Sequence, residues 1–454
     1  LYDRPNYPPL SLAYLAGSAR AAGHAVSIVD AKFEPLTLAQ TVARVLSQQP
    51  AVVGITAMTH EITRATEVAV ALKQAQPALV IIIGGVHATF LARETLQEFP
   101  AFDYAVIGEG EETLVTLLAA LAPGGAPTTV PNLALRRDDG IILTPAAPPP
   151  ADLDALAPPA FDLWPRLPVY HLNTARGCPY RCIFCAQAHG HVLRMHSAER
   201  VAAMFGGLVE QYRPERVYFV DETFGLDRAR AYRILDLFRE HRLGERCPWW
   251  AATRVDRAEY EFLRALKDAG CFLIQFGIES GSERVLQTLG KGIAKTTVRT
   301  AVANARRARL RIEGLFIVGH PHETRAEIDE TLAFINELNP DLLALGIMVP
   351  YPGTELAAMI ARGEGGYRLL DRSWEAFNKQ LGKALELEHV TRRELELAQL
   401  RGYLGLYLRH GRVLDLLRFT LGNWRGALAF LRNFVSGREV PDWFPAGRHG
   451  DFPG

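Results

Sequence analysis

Between residues 8 and 121 the chain alternates two hydrophobic patterns. Segments with apolar positions three and four apart predict helices at Leu10–Ala22, Leu38–Leu46, Glu61–Gln74, from about Thr89, and from Glu111. Between them lie short runs that are apolar throughout: Ala25–Asp30, Ala51–Thr56, Val80–Gly84 and Tyr104–Ile107. Strands of that kind separated by amphipathic helices predict a parallel sheet covered on both faces. The expectation for residues 1–125 is an α/β, doubly wound, Rossmann-like domain, with a further first strand upstream of Leu1.

Residues 126–167 are dense in Pro and Gly and read as a linker. Within it, Asp138-Asp139-Gly140 between two apolar runs predicts a small hairpin. A second alternating region, 168–358, offers strands at Tyr170–Thr174, Arg216–Val220, Trp249–Ala252, Phe272–Gly277, Arg311–Val318 and Leu342–Met348. With helices between them, these predict a partial (β/α)6 barrel. Residues 359–454 lack strand signals and predict a helical C-terminal region, with helices at Thr391–Leu408, Arg412–Leu421 and Trp424–Phe434. Arg401, Arg409, Arg412, Arg418, Arg425 and Arg432 recur among its Leu, Phe and Trp residues. Two readings stay open for them: solvated arginines on a helical cap, or a cover for a hydrophobic or anionic substrate, with contact to a membrane surface as its variant.

The 454 residues carry 50 Lys plus Arg and 50 Asp plus Glu. That balance gives no argument for nucleic acid as a partner. No run of about 18 apolar residues suggests a membrane span, and no signal-peptide pattern opens the chain. Five cysteines, three of them within one octapeptide, do not suit a disulfide ladder. They favour a reducing, cytoplasmic setting and a metal site.

The trio is Cys178, Cys182 and Cys185, in Arg176-Gly-Cys-Pro-Tyr-Arg-Cys-Ile-Phe-Cys185. Three thiolates on one short loop suit three irons of a [4Fe-4S] cube and leave the fourth iron open to a small ligand. An electron carrier usually has four protein ligands. The competing reading is a zinc site completed by His189 or His191. Cys247 and Cys271 read as buried structural thiols. The loop follows a strand, which puts it at the carboxyl mouth of a parallel barrel, where active sites lie.

This trio resembles the radical S-adenosylmethionine (SAM) superfamily, in which SAM binds the open iron and is cleaved to a 5′-deoxyadenosyl radical. The resemblance implies that Phe184 lies beside the adenine. It implies that Glu222, in Asp221-Glu-Thr-Phe224, meets the SAM amino group; an N-cap by Asp221 or Thr223 is compatible with this. Glu279 and Ser280, in Phe276-Gly-Ile-Glu-Ser-Gly281, are implied to approach SAM. Ile317, in Gly314-Leu-Phe-Ile-Val-Gly319, is implied to pack on the adenine. Three residues separate Gly319 from Glu323 where the family has two, which leaves the role of Glu323 open. Arg254 pairs either with the SAM carboxylate or with an acid such as Asp256.

A doubly wound domain ahead of such a barrel resembles the cobalamin-binding branch of that superfamily. The resemblance rests on Tyr7-Pro8-Pro-Leu10, Gly84-Gly85-Val-His87-Ala-Thr89 and Gly108-Glu109-Gly110-Glu-Glu-Thr113, at or near carboxyl ends of strands where ligands bind. It implies cobalamin contacts from Tyr7, Pro8, Thr56, Met58, Thr59, Gly84, Gly85, His87, Thr89, Gly108, Glu109 and Gly110. The Asp-x-His-x-x-Gly motif that supplies a lower cobalt ligand is absent, as is common in this branch. Met58 or Thr59 would then lie under the cobalt, with His60 and His87 less suited as ligands. A flavodoxin-like module with another ligand is the alternative. The implied activity is C-methylation at an unactivated carbon of a small molecule, with electrons from a flavodoxin or ferredoxin. Tyr351-Pro-Gly-Thr-Glu-Leu356 also resembles the anaerobic magnesium-protoporphyrin ester cyclase, which implies ring closure instead. A non-catalytic cobalamin or cluster sensor is the third reading. No acid, base or nucleophile is singled out, and no substrate is named.

Overall fold

The computed structural model describes residues 7–138, 140–378 and 383–422. Asp139, the Trp424–Phe434 segment, Arg425, Arg432 and the side chain of Arg418 lie outside the described residues, as does any strand before Tyr7.

In the N-terminal sheet, β1 (Val52–Thr56), β2 (Val80–Gly84) and β3 (Tyr104–Val106) run parallel. The hairpin β4 (Leu133–Arg137) and β5 (Gly140–Leu143) then joins antiparallel to β3. The hairpin read from Asp138-Asp139-Gly140 thus forms, and it extends this sheet. Successive side chains of β2 enter opposite cores: Ile81 and Ile83 pack with Ile62, Ala69 and Leu72, whereas Ile82 packs with Val106, Leu117 and Leu135. Burial on both faces is why these strands are apolar throughout. One predicted strand does not form. Ala25–Asp30 is not part of any ladder. Among the described residues no strand lies beside it to exchange hydrogen bonds, and backbone pairing is what makes a strand.

The second sheet contains β6 (Val169–Leu172), which leads into a short antiparallel pair, β7 (Ala175–Arg176) and β8 (Arg194–Met195). It continues with β9 (Arg216–Phe219), β10 (Trp249–Thr253), β11 (Cys271–Glu279), β12 (Arg311–Val318) and β13 (Leu342–Ile347). The order β6-β9-β10-β11-β12-β13 is parallel throughout, as the predicted partial barrel requires. On β12, Ile312, Phe316 and Val318 are buried with Val298, Ala301 and Ile335 of the outer helices. Glu313, Leu315 and Ile317 alternate with them and are half-buried on the opposite, concave side.

A small hairpin, β14 (Tyr367–Leu369) and β15 (Leu385–Leu387), interrupts the C-terminal region, contrary to the expectation of helices alone. The helix Arg392–Arg409 packs Leu395, Ala398 and Leu406 into the barrel core. Arg401 pairs with Asp329, and Arg412 donates to the carbonyls of Pro340 and Asp341. Those arginines tie the cap to the barrel. Among the described residues no helix is long and apolar enough to cross a membrane.

The first helix, Leu10–Ala21, joins the two halves. Ala160 N donates to Ala13 O at 2.8 Å. A Cβ at Gly17 would lie 2.1 Å from Pro158 O. Gly17→Ala is therefore expected to push the helix off this segment and lower stability by about 1–3 kcal/mol, the usual range of overpacking. Urea denaturation of the purified chain measures it.

Candidate active site

The cysteine loop, residues 174–196, is fastened at both ends. Asp221, just past β9, accepts from Thr174 N at 2.6 Å, Thr174 Oγ1 at 2.5 Å and Ala175 N at 3.3 Å. Burial pushes its carboxyl up to about 6, against the pull of those Thr174 bonds. Arg230 donates to the carbonyls of Thr174 (2.6 Å) and His196 (2.5 Å), closing the base of the loop. Sequence reading treated Asp221 only as a helix cap and passed over Arg230. Neither role has a local signature.

On this loop Cys178 is buried, Cys182 half-buried and Cys185 exposed. Although Cys185 reaches the surface, the protein packed around its thiol pushes it up to about 11, and the neighbouring Cys182 and Cys178 add to the rise. Cys182 feels the charge of Cys178, and Cys185 that of both, so they share one stretch of the loop. A cube takes each thiolate on a different iron, so three neighbouring thiols fit it. Cys247 and Cys271 are buried elsewhere, with thiols pushed to about 12 by burial, and they remain structural.

Glu222 stands beside the trio. Its carboxylate meets His189 Nδ1 at 2.7 Å. Burial alone would raise its pKa, but His189 and the backbone N–H of Gly177 outweigh this and hold it below the usual range. Glu279, at the end of β11, is buried and paired with Lys291. Ile317 lies half-buried on the concave side and Phe184 half-buried on the loop. Two residues expected to touch SAM are otherwise engaged. The fully buried Ser280 bonds Thr331 Oγ1 at 3.1 Å and accepts from Ser282 N. Arg254 forms a two-pronged pair with Asp256 at 2.9 Å, the second of its two expected partners, and lies 3.6 Å from the Tyr180 ring centre. Both are drawn away by partners already within reach, which satisfy their polar atoms.

The loops after β1, β2 and β3 form one shelf. Thr56 and Met58 are exposed on it, and Gly108, at φ +75°, has open space where a Cβ would point. A shelf poor in side chains fits a flat macrocycle. Gly85, at φ +95°, presses on the first of these loops; a Cβ there would lie 2.7 Å from Ala57 O. Thr89 Oγ1 accepts from Gly108 N at 3.2 Å, joining the second loop to the third. Thr59 is buried. His87 is buried edge-on to Trp374 at 4.8 Å, and burial lowers its pKa to about 4. Tyr7 stacks on His171 of β6 at 3.9 Å, and Pro8 is buried.

Glu109, expected to touch cobalamin, is committed elsewhere. Arg176 donates to Glu109 and to Glu111, each at 2.7 Å, and Arg194 donates to both Glu109 oxygens. All four side chains are 5–8% exposed. This cage joins the third loop of the shelf directly to both arms of the cysteine loop.

The B12 binding domain model matches residues 4–118, and the Radical SAM superfamily model matches residues 172–335. An uncharacterized methyltransferase of Pyrococcus horikoshii is 33% identical over 411 residues, covering 88% of each chain. The chain belongs to the cobalamin-binding radical SAM enzymes. An anaerobic magnesium-protoporphyrin IX monomethyl ester cyclase of Rubrivivax gelatinosus is 29% identical over 367 residues, 77% of this chain and 66% of the cyclase. The chain thus spans just under two thirds of the cyclase's length. Among solved structures, the radical SAM methyltransferase TsrM of Kitasatospora setae, with tryptophan and a SAM analogue bound, shares the fold at a TM-score of 0.71 and 17% identity, covering 88% of this chain and 86% of that one. As a cobalamin-binding radical SAM enzyme, the protein uses a [4Fe-4S] cluster, SAM and cobalamin.

Two expectations follow. Ala at Cys178, Cys182 or Cys185 should abolish iron binding and the visible cluster absorption of the reconstituted enzyme, whereas Ala at Cys247 or Cys271 should leave both. Separately, Glu109→Gln leaves buried arginines short of a counter-charge and should cost about 3–5 kcal/mol in denaturant titration.

Proposed function

We propose that this enzyme transfers a methyl group to an unactivated carbon of a small molecule. When bound, cobalamin supplies the methyl group and cluster-bound SAM the radical that opens the carbon. The observation that best supports this is the Arg176–Arg194–Glu109–Glu111 cage. It holds the shelf loop against the cysteine loop, so groups bound at the two loops would be neighbours. The relative of this chain in Pyrococcus horikoshii is itself named a methyltransferase.

The chain's own residues bind and orient. Glu222, an anion at neutral pH, offers an acceptor for an amino group beside the open iron. Ile317 and Phe184 offer apolar surface for an adenine. The glycines of the shelf leave the macrocycle room. Electrons would come from a low-potential protein such as a flavodoxin or ferredoxin.

Ring closure of the cyclase kind is the second reading. It is favoured by the cyclase relative and by Tyr351–Leu356, where Gly353 presses on Phe90 and Leu356 N donates to Ile183 O at 2.9 Å, so the segment bridges shelf domain and cysteine loop.

The readings part on products. Anaerobic turnover of the reconstituted full chain with SAM, cobalamin and a low-potential reductant should yield S-adenosylhomocysteine, and with substrate present 5′-deoxyadenosine as well. Mass spectrometry that finds 5′-deoxyadenosine without S-adenosylhomocysteine, across substrates that are consumed, would overturn methyl transfer in favour of ring closure.

A further inference from the structure

We propose that Glu313, on the concave side of the barrel, is a specificity residue whose carboxylate takes the ammonium or guanidinium end of a cationic substrate. The proposal deepens the reading above and rests on its small-molecule substrate, whichever product is formed.

It starts from the alternation of the strands. On β6, β9, β10, β12 and β13 every position facing the outer helices is buried, whereas positions facing the concave side are half-buried or exposed. A barrel filled by its own side chains buries both sets. This one keeps an open trough along its inner wall. Ala344 and Gly346 of β13 keep the wall low beside Leu315 and Ile317 of β12.

Three polar side chains form a row in that trough. Tyr218 Oη donates to Gln275 Oε1 at 2.7 Å, and Gln275 Nε2 donates to Glu313 Oε2 at 2.7 Å. Because the amide oxygen takes the tyrosine proton, the amide N–H turns to Glu313, which is thereby held as an acceptor. The Tyr218 ring is itself stacked on Trp250 at 4.9 Å. Three strands thus aim one carboxylate, and its other oxygen, Oε1, has no hydrogen bond among the described residues.

No cation of the chain serves that carboxylate. Glu279 has Lys291, Asp256 has Arg254 and Glu222 has His189, whereas Glu313 forms no ion pair among the described residues. Arg311, two positions earlier on the same side of β12, is exposed and does not pair with it. Arg216 of β9 lies over the Phe272 ring at 5.3 Å. A carboxylate drawn partly out of water without a counter-charge is a cost to the folded chain. A cationic ligand removes that cost, and the aromatic pair beside the row attracts the same charge. The position suits a substrate as well. Glu313 lies four residues before Ile317, about 13 Å along the strand. A molecule held there by its cation extends past Leu315 toward the carboxyl end of the barrel, where the cysteine loop lies.

The test is anaerobic equilibrium dialysis of the reconstituted full chain. Reductant is left out, excess SAM is present to occupy Glu222, and iron per chain is measured first. The probes share one scaffold: tyramine, its uncharged counterpart tyrosol and the matching carboxylic acid. Tyramine should bind about tenfold tighter than tyrosol, as a hydrogen bond to a charged group allows, and the acid should bind weakest. Glu313→Gln, with full iron content, should abolish the preference for tyramine. Absence of tyramine binding, equal binding of tyramine and tyrosol, or a tyramine preference that survives in Glu313→Gln overturns the proposal. If Glu313→Gln fails to hold iron, Ala344→Leu decides, since it narrows the trough above Glu313 without changing any charge. It should weaken tyramine about tenfold, and unchanged binding overturns the proposal. No turnover is read, so this result is separate from the product test. S-Adenosylhomocysteine formed by a chain without the tyramine preference leaves methyl transfer standing and removes only the role of Glu313.

Discussion

Four charged side chains with at most 8% of their surface exposed join the two halves of this enzyme. Burying charges is costly, and only good geometry with full hydrogen bonding offsets it. Arg176, Arg194, Glu109 and Glu111 meet that condition by a particular arrangement: Glu109 is gripped by arginines from β7 and β8 together, and Glu111 takes the second prong of Arg176. Such a network has few alternative geometries. It follows that the spacing between the loop after β3 and the cysteine loop is built into the ligand-free chain. That matters for radical chemistry, since a reacting carbon must stay within reach of both cofactors while water is kept out.

The cage acts with two apolar attachments. Gly353 lies so close to Phe90 that no side chain fits between them. Trp374 covers His87 and bonds Glu98 of the shelf domain through its indole N–H at 3.1 Å. With the helix Leu10–Ala21 packed on residues 158–160, the shelf domain is held from the barrel, the cap and the connecting segment. The C-terminal region is therefore more than a lid for the barrel, since Trp374 reaches the histidine behind the shelf.

What the sequence disclosed and what it hid divide along a physical line. The cysteine trio, the Asp138–Gly140 turn and the alternation of β12 are local: spacing and periodicity carry them, and the fold cannot rearrange them. Side-chain partners across the fold are different. Glu109 and Arg176 are 67 positions apart. Nothing in Gly108-Glu109-Gly110 distinguishes a carboxylate that serves a ligand from one that serves an arginine, so Glu109 was read as a cofactor contact. The partners of Ser280 and Arg254, Thr331 and Asp256, are likewise set by the fold and carry no mark in the motif around them. Lys291 lay in Leu289-Gly-Lys-Gly292, a stretch with no pattern, and only its pairing with Glu279 gives it meaning. Ala25–Asp30 carries a strand composition without a strand neighbour, so its local signal was sound and its tertiary context was missing.

Charge around the cysteine loop is thus arranged in two layers that behave differently. Lys291 with Glu279, Arg254 with Asp256, and the cage are held by buried partners. A ligand would have to break a desolvated pair to recruit any of them, and the charge left behind would be unpaired in a poorly solvated place. Glu222 and His189 are 29% and 42% exposed, and their pair is worth far less in water. They can exchange each other for an incoming ammonium at small cost. The exposed pair can therefore change partners, while the buried layer fixes the geometry of the loop. The same reasoning holds Arg254 on Asp256 in the ligand-free chain and leaves Glu222 as the charged side chain there that exchanges a partner at least cost.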